Sequence, residues 1–189
     1  MKTANREEAI RVAALRIFRE KGYHGASMQD IADAVGLLKG SLYHYIESKE
    51  ELLARVFEGA LEDTLADLGK IAAGNGSARE RMRAMVRAYA LAIVRNLDAV
   101  GVYLREWRAL PSRDLAVVRE RRRAMRRLFE GVIADGMRAR DFARGDTKLA
   151  ALAIVGMCNW LYEWYRPRGT KSADEIANEL ARRAVASLR

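Results

Sequence analysis

The chain has 189 residues and a net charge of +9, from 34 Lys+Arg against 25 Asp+Glu, with one Cys, two His and two Pro. At 50% hydrophobic and 31% charged residues it reads as a folded globular protein, long enough for one large domain or two small ones, and not as a disordered or fibrous chain. A lone Cys excludes an internal disulfide, and one Cys with two His excludes a Cys/His zinc site, so neither metal nor cofactor is expected.

The polar start, Met1 to Glu8, carries no apolar leader, which sets a cytoplasmic expectation. Period-two alternation is missing while helix punctuation recurs, so the expected fold is all-α with nine helices. Asn5, with Glu8 three residues on, is expected to cap the first helix. Its apolar positions Ile10, Ala13, Ala14, Ile17 and Phe18 keep the 3.6 period, and Gly22 ends it. Ser27 with Asp30 opens a short second helix through Ile31, Ala32 and Val35, stopped at Gly36, and a third covers Leu38 to Tyr45. Ser48 with Glu51 opens a long fourth helix through Leu52, Leu53, Val56, Phe57, Leu61, Leu65 and Leu68. The run Gly74-Asn75-Gly76 ends it and marks the expected border between two domains. Ser77 with Glu80 begins the fifth, and the sixth runs through Tyr103 and Trp107 to Pro111. Ser112 begins a seventh that reaches about Met137. Asp146 or Thr147 starts an apolar eighth helix ending at Arg166-Pro167. Its stretch Leu149 to Tyr165, broken by Asn159 and Glu163, is too short for a membrane span and reads as a buried helix. Ser172 with Glu175 caps the ninth.

The second and third helices have the spacing of a helix-turn-helix. Gly36 supplies a left-handed turn, and Ala32 is small enough to let the helices approach. The third presents Lys39, Gly40, Ser41, Tyr43, His44 and Tyr45 around one core residue, Leu42. Hydroxyls, an imidazole and an amine on a short helix suit groove edges and phosphates. The alternative, that Tyr43, His44 and Tyr45 cover an apolar surface, sits badly with two aromatics and a His beside Lys39. His44 as a catalytic base lacks any accompanying nucleophile or orienting carboxylate. Lys49 follows Ser48 in a first helical turn, where free backbone N–H groups attract phosphate.

Ile10 to Phe18, Gly22-Tyr23, Ser27-Met28, Ile31-Ala32, Gly36, the string Lys39-Gly40-Ser41-Leu42-Tyr43-His44-Tyr45 and Ser48-Lys49-Glu50 together resemble the tetracycline-repressor (TetR) family over about the first 60 residues. The resemblance implies a homodimeric, all-α repressor. Residues 1–50, with the adjoining part of the fourth helix to about 60, would be the DNA-binding domain, and 51–189 the ligand-binding and dimerisation domain. It also implies that Ser27, Tyr43 and Lys49 meet phosphates of double-stranded operator DNA, and that Lys39, Ser41 and His44 lie at or near base edges. Met28, Gly40 and Tyr45 complete the expected DNA-binding set. Two positions depart from the family pattern. Leu38 replaces the usual hydroxyl cap of the recognition helix, a change worth about 1 kcal/mol, and Ile46 stands where Phe is usual.

The basic surplus lies entirely in the later part of the chain: residues 1–76 carry 10 basic and 12 acidic side chains, residues 77–189 carry 24 and 13. Residues 105–127 alone hold nine Arg, for most of which a solvated face paired with Glu106, Asp114 and Glu120 is the expected state. A domain so basic suits an anionic effector, especially one bearing phosphates. The segment Gly156 to Gly169, with Trp160, Trp164 and Arg168, resembles the C-terminal signature of TetR regulators that respond to acyl-coenzyme A thioesters in fatty-acid, aromatic-acid and steroid breakdown. Tyr103, Trp107, Met125, Phe129, Asn159, Trp160, Trp164 and Arg168 are the expected effector-binding residues, although packing in the core or at a dimer seam would also use such aromatics. Cys158 reads as a small buried hydrophobe and His24 as a solvated loop residue.

The expected activity is therefore a repressor released from a palindromic operator by an acyl-coenzyme A thioester. Its dimer would place two recognition helices about 34 Å apart, with the fourth helix as the lever. Two alternatives remain open. A multidrug-type sensor of another lipophilic ligand keeps the same fold. An acyl-coenzyme A-processing enzyme finds no Gly-rich phosphate loop, nucleophile elbow or interpretable carboxylate pair in the sequence.

Overall fold

The computed structural model describes residues 2–189, with side chains described for 5–56 and 63–189. Among the described residues the fold is all helical, with ten α-helices and a single 3-10 turn, Trp107–Ala109. The helices are α1 Lys2–Gly25, α2 Met28–Ala34, α3 Lys39–Leu42, α4 Lys49–Ala72, α5 Ala78–Arg95, α6 Leu97–Glu106, α7 Ser112–Arg138, α8 Thr147–Asn159, α9 Leu161–Trp164 and α10 Ala173–Ala186.

The chain divides into two compact units, one of residues 1–60 and 98–118, the other of 61–97 and 119–189. The turn Gly74-Asn75-Gly76 joins α4 to α5 and falls inside the second unit. The first unit closes on Ile10, Phe18, Ile31, Leu42, Leu52 and Leu53, all fully buried or nearly so. In the second, α5 and α10 pack along each other, and Met82, Met85, Phe129 and Ile133 are buried. Phe57 and Leu61, expected in the α4 stripe, lie outside the described side chains.

Most helix starts follow from local chemistry. Ser27 with Asp30, Ser77 with Glu80 and Ser172 with Glu175 each form a complete capping box, and the Asp146 carboxylate accepts from the backbone N–H groups of Lys148 and Leu149. The first helix departs from this pattern. It begins at Lys2, so Asn5 is internal and caps nothing, and Glu8 instead receives Arg11 at 2.8 Å. Gly22, at φ 71° and ψ 162°, leaves helical geometry and breaks the first helix where expected; beyond this kink a short helical stretch runs to Gly25 and carries the exposed His24.

The apolar stretch beginning at Leu149 differs twice from expectation. It is two helices, because at Trp160 the backbone ladder tightens: Trp160 N–H still reaches Gly156, but Glu163 N–H reaches only back to Trp160. It is also only half buried. Ala151, Ile154, Cys158 and Leu161 face inward, while Leu149 and Trp160 are 66% and 58% exposed and Leu152 is 48% exposed. Leu149, Leu152, Gly156 and Trp160 recur at helical spacing, so the exposed set is one continuous stripe. No helix is long and apolar enough to cross a membrane among the described residues.

Candidate nucleic-acid interface

The helix-turn-helix is built from a helix stop. Beyond α2, Gly36 takes φ 66°, its N–H donates to the Asp33 carbonyl at 3.2 Å, and Leu37 N–H reaches back to Ala32 at 2.9 Å. This pair of bonds closes a Schellman motif, which only a residue tolerant of left-handed backbone completes without strain. The chain then turns into α3, a single turn of helix followed by turns through Tyr45, shorter than the expected Leu38 to Tyr45 segment. Leu38 caps it without any side-chain hydrogen bond and stands 80% exposed. Leu42 and Ile46 anchor the element in the core, so Ile46 fills the place that the family gives to Phe.

Anchoring of those two side chains turns the rest outward. Lys39, Gly40, Tyr43 and His44 are exposed, Ser41 and Tyr45 half-buried. Amine, hydroxyls and imidazole therefore share one accessible surface with no competing carboxylate on α3.

Three other residues expected on that surface are engaged elsewhere. Met28 is 8% exposed and packs its side chain into the core. The Ser27 hydroxyl donates to the Asp30 carboxylate at 2.8 Å and accepts from Asp30 N–H. The Lys21 ammonium and these Ser27 contacts hold the Asp30 carboxyl down at about 2. The Lys49 ammonium donates to the carbonyls of Tyr23 and Ala26, both at 2.8 Å, and lies over the Tyr23 ring. Tyr23 in turn donates its hydroxyl to Glu50 at 2.9 Å; burial first, and Glu50 second, push that phenol well above its ordinary range. The first turn of α4 thus clasps the corner between α1 and α2.

The residues expected to hold an effector are dispersed. Tyr103 is buried in the first unit, where Trp107 is half-buried with Arg108 stacked 4.5 Å over its ring. In the second unit Met125 and Phe129 are buried, and the Phe129 ring lies 6.0 Å from that of Tyr89, whose hydroxyl donates to Asn159 at 2.6 Å. Asn159 therefore finds its partner, while Glu163 is exposed and needs none. Trp160, Trp164 and Arg168 are exposed. Burial drives the Cys158 thiol up to about 12, as suits a small hydrophobe. On α7, Arg123 and Arg127 pair with Glu120, Arg126 pairs with Glu130, and Arg113 with Asp114, so the arginine-rich face is largely an ion-paired surface.

Sequence reading missed the long-range ion pairs. Arg19 donates to both carboxylate oxygens of Asp98 at 3.0 Å, and Arg81 binds Asp135 at 3.0 Å while closing the end of α4 through the Ala72 and Gly76 carbonyls. The partners lie 54 to 79 residues apart, a separation that leaves no local signal. No cluster of three or more His, Cys, Asp or Glu able to hold a metal occurs among the described residues.

Comparison with known proteins agrees with this geometry. The family model described as "Bacterial regulatory proteins, tetR family" matches residues 10–56, and "Tetracyclin repressor-like, C-terminal domain" matches 75–188. The HTH-type transcriptional repressor KstR2 of Rhodococcus jostii (strain RHA1) is 30% identical over 94% of this chain and 88% of its own. A tetR-family regulatory protein from Rhodococcus RHA1 superposes with a TM-score of 0.90 at 26% identity, covering 97% of this chain and 96% of that one. AibR, solved in complex with isovaleryl coenzyme A and operator DNA, superposes with a TM-score of 0.83 at 27% identity, covering 93% and 96%.

Proposed function

Since the chain belongs to the tetR family of bacterial regulatory proteins, we propose that it represses transcription from a palindromic operator and lets go when it binds a coenzyme A thioester of an apolar acid. The observation that carries the DNA half is the outward face of Lys39, Ser41, Tyr43 and His44, held by the buried Leu42 and Ile46. Lys39, Ser41 and His44 read base edges, Tyr43 and Tyr45 touch backbone phosphate and sugar, and Gly40 lets the helix approach the groove. Ser27, Met28 and Lys49 act from behind, fixing the angle of this face. Residues 1–50 form the DNA-binding domain, and the remainder carries effector and dimer contacts.

The effector half rests on the complex of AibR with isovaleryl coenzyme A, on the full-length similarity to KstR2, and on the basic surplus of residues 77–189. Phe129, Met125 and Asn159 are assigned to the acyl group, the first two as apolar contacts and Asn159, which accepts from Tyr89, as the polar one. The thioester acts only by preferring the arrangement that does not fit the operator, and α4, which starts at Lys49 and runs to Ala72, is the lever.

Two copies are required, because one α3 reads too few base pairs. The exposed stripe of Leu149, Leu152 and Trp160 supports a homodimer through α8: a helix apolar on both sides keeps its outer face dry only against another apolar face. A DNA-bound regulator of this kind works in the cytoplasm.

Fluorescence anisotropy with a labelled operator tests both halves. Isovaleryl- and longer acyl-coenzyme A should lower operator affinity at least about tenfold, the usual size of a site-to-site coupling. Release by lipophilic cations and not by thioesters would move the protein to the multidrug-sensor reading. Thioester turnover would revive the enzyme reading.

A further inference from the structure

In the second unit, the connection between α7 and α8 folds with the start of α5 and with Arg189 into a groove of about 920 Å³. Five arginines line it, Arg79, Arg138, Arg140, Arg144 and Arg189, against one acidic side chain, Asp141. Two of the five are engaged. Arg79 donates to the Asp141 carbonyl at 3.1 and 2.8 Å and lies 3.4 Å from its carboxylate, and Arg138 pairs with Asp135. Arg140, Arg144 and Arg189 are exposed, and among the described residues none of them is drawn to a carboxylate. Guanidinium groups outnumber the one acidic side chain around this concavity and give it a positive potential.

The groove is built rather than accidental. Asp141 and Phe142 both donate their backbone N–H to the Gly136 carbonyl, at 2.8 and 3.1 Å, and Ala143 N–H donates to Leu188 at 2.8 Å, tying the connection to the end of the chain. Phe142 is buried so tightly on Gly136 that a Cβ there would come within 2.1 Å of its ring. Arg140 has φ 61° and is the one non-glycine residue with positive φ among the described residues. This is the left-handed stop of α7: Arg140 N–H donates to the Met137 carbonyl at 3.3 Å while Asp141 N–H reaches Gly136, the arrangement that Gly36 completes after α2, and Arg140 lines the groove from that stop.

We propose that this groove is a binding site for a small molecule carrying at least two phosphate groups. Arginine forks match phosphate oxygens in a bidentate way, and the volume suits a nucleotide-sized ligand. The proposal goes beyond the operator and effector assignments and stands without them. The phosphates could come from a free nucleotide or pyrophosphate, or from the phosphorylated end of a coenzyme, and the arms of the test separate these sources.

Calorimetric titration of the full chain at low salt with pyrophosphate, ATP and free coenzyme A supplies that test, run beside Arg140→Gly and Arg144→Ala. Saturable binding is expected, weakened about tenfold or more in each variant, as loss of one charge-assisted pair implies, and falling as salt rises. Arg140→Gly should melt no lower than the parent, so that its lost affinity reports the missing guanidinium and not unfolding. Preference for coenzyme A identifies a coenzyme, and comparable binding of all three identifies a general polyphosphate site. Absence of saturable binding at millimolar concentration, or binding that both variants leave unchanged, overturns the proposal. Thioester-driven operator release is a separate measurement, and its success or failure leaves the groove untouched.

Discussion

Lys49 sits 4.4 Å from the centroid of the Tyr23 ring and at the same time donates 2.8 Å to the Tyr23 backbone carbonyl. With a second bond to Ala26 and the neighbouring Tyr23–Glu50 hydrogen bond, the start of α4 is fastened to the corner from which α2 departs. Sequence position alone puts Lys49 at a helix start, where a phosphate would be welcome. The side chain turns the other way, leaving one of its three donors uncommitted.

Replacing Lys49 by Ala should therefore injure the domain before it injures DNA contact. Two buried-side carbonyls lose a charged donor and the ring loses its cation, a combined loss of about 2 kcal/mol. Thermal melting should register it. The slope of log affinity against log salt for the operator should stay unchanged, whereas loss of a phosphate contact lowers it by about one. A slope reduced by one, with melting unaffected, would return Lys49 to the phosphate backbone.

His44 and Tyr43 give the complementary case. Both are exposed, so His44→Ala and Tyr43→Phe should leave stability within about 0.5 kcal/mol of the parent. Loss of a base-edge contact at His44 should weaken the cognate operator by about 1–3 kcal/mol, an order of magnitude or more, and flatten the preference at one base position. Tyr43→Phe should weaken all sequences alike, as a backbone contact does. Competition binding against operators altered one base at a time distinguishes the two, and equal behaviour of the variants would undo the assignment of roles.

Sequence makes legible whatever depends on neighbours in the chain. The caps at Ser27, Ser77 and Ser172 are three-residue arrangements, the Gly36 turn is a five-residue one, and the buried Leu42 follows from helical spacing. The start of α1 escapes such reading because Asn5 and Glu8 spell a capping box that extra helix upstream overrides, leaving Glu8 to Arg11. The exposure of Trp160 and Leu149 is hidden for a different reason: an apolar side chain looks the same in sequence whether its own unit or a second subunit covers it. Pairs such as Arg19–Asp98 and the arginine groove join segments far apart in sequence, and charge counting locates the surplus without its shape.

Asp30 makes the second helix sensitive to acid. Its carboxyl titrates at about 2 in the folded chain, well below the ordinary 3.8, because Lys21 and Ser27 stabilise the charged form. A carboxylate depressed in this way contributes stability in full above its unfolded value and loses it as pH falls from about 4 to 2. Melting temperature followed over that interval should drop in the parent and drop less in Asp30→Asn, which carries no titrating group there. Parallel acid profiles for the two proteins would remove Asp30 from the account.

The stripe on α8 allows the sharpest test of assembly. Leu149, Leu152 and Trp160 together leave three large apolar side chains in water on one protomer, and covering each is worth about 1.5–3 kcal/mol. Leu152→Glu with Trp160→Glu puts two carboxylates from each copy into a contact made of apolar side chains, where they lose water and repel one another. Sedimentation should give a dimer for the parent and a monomer for the double variant. Because both positions face outward, circular dichroism of the monomer should retain its full helical signal. Operator affinity should collapse at the same time, since a single α3 grips only a half-site. A double variant that stays dimeric would place the subunit contact on another face, and one that turns monomeric yet binds the whole operator at parental strength would show that pairing through α8 is not what grips the palindrome.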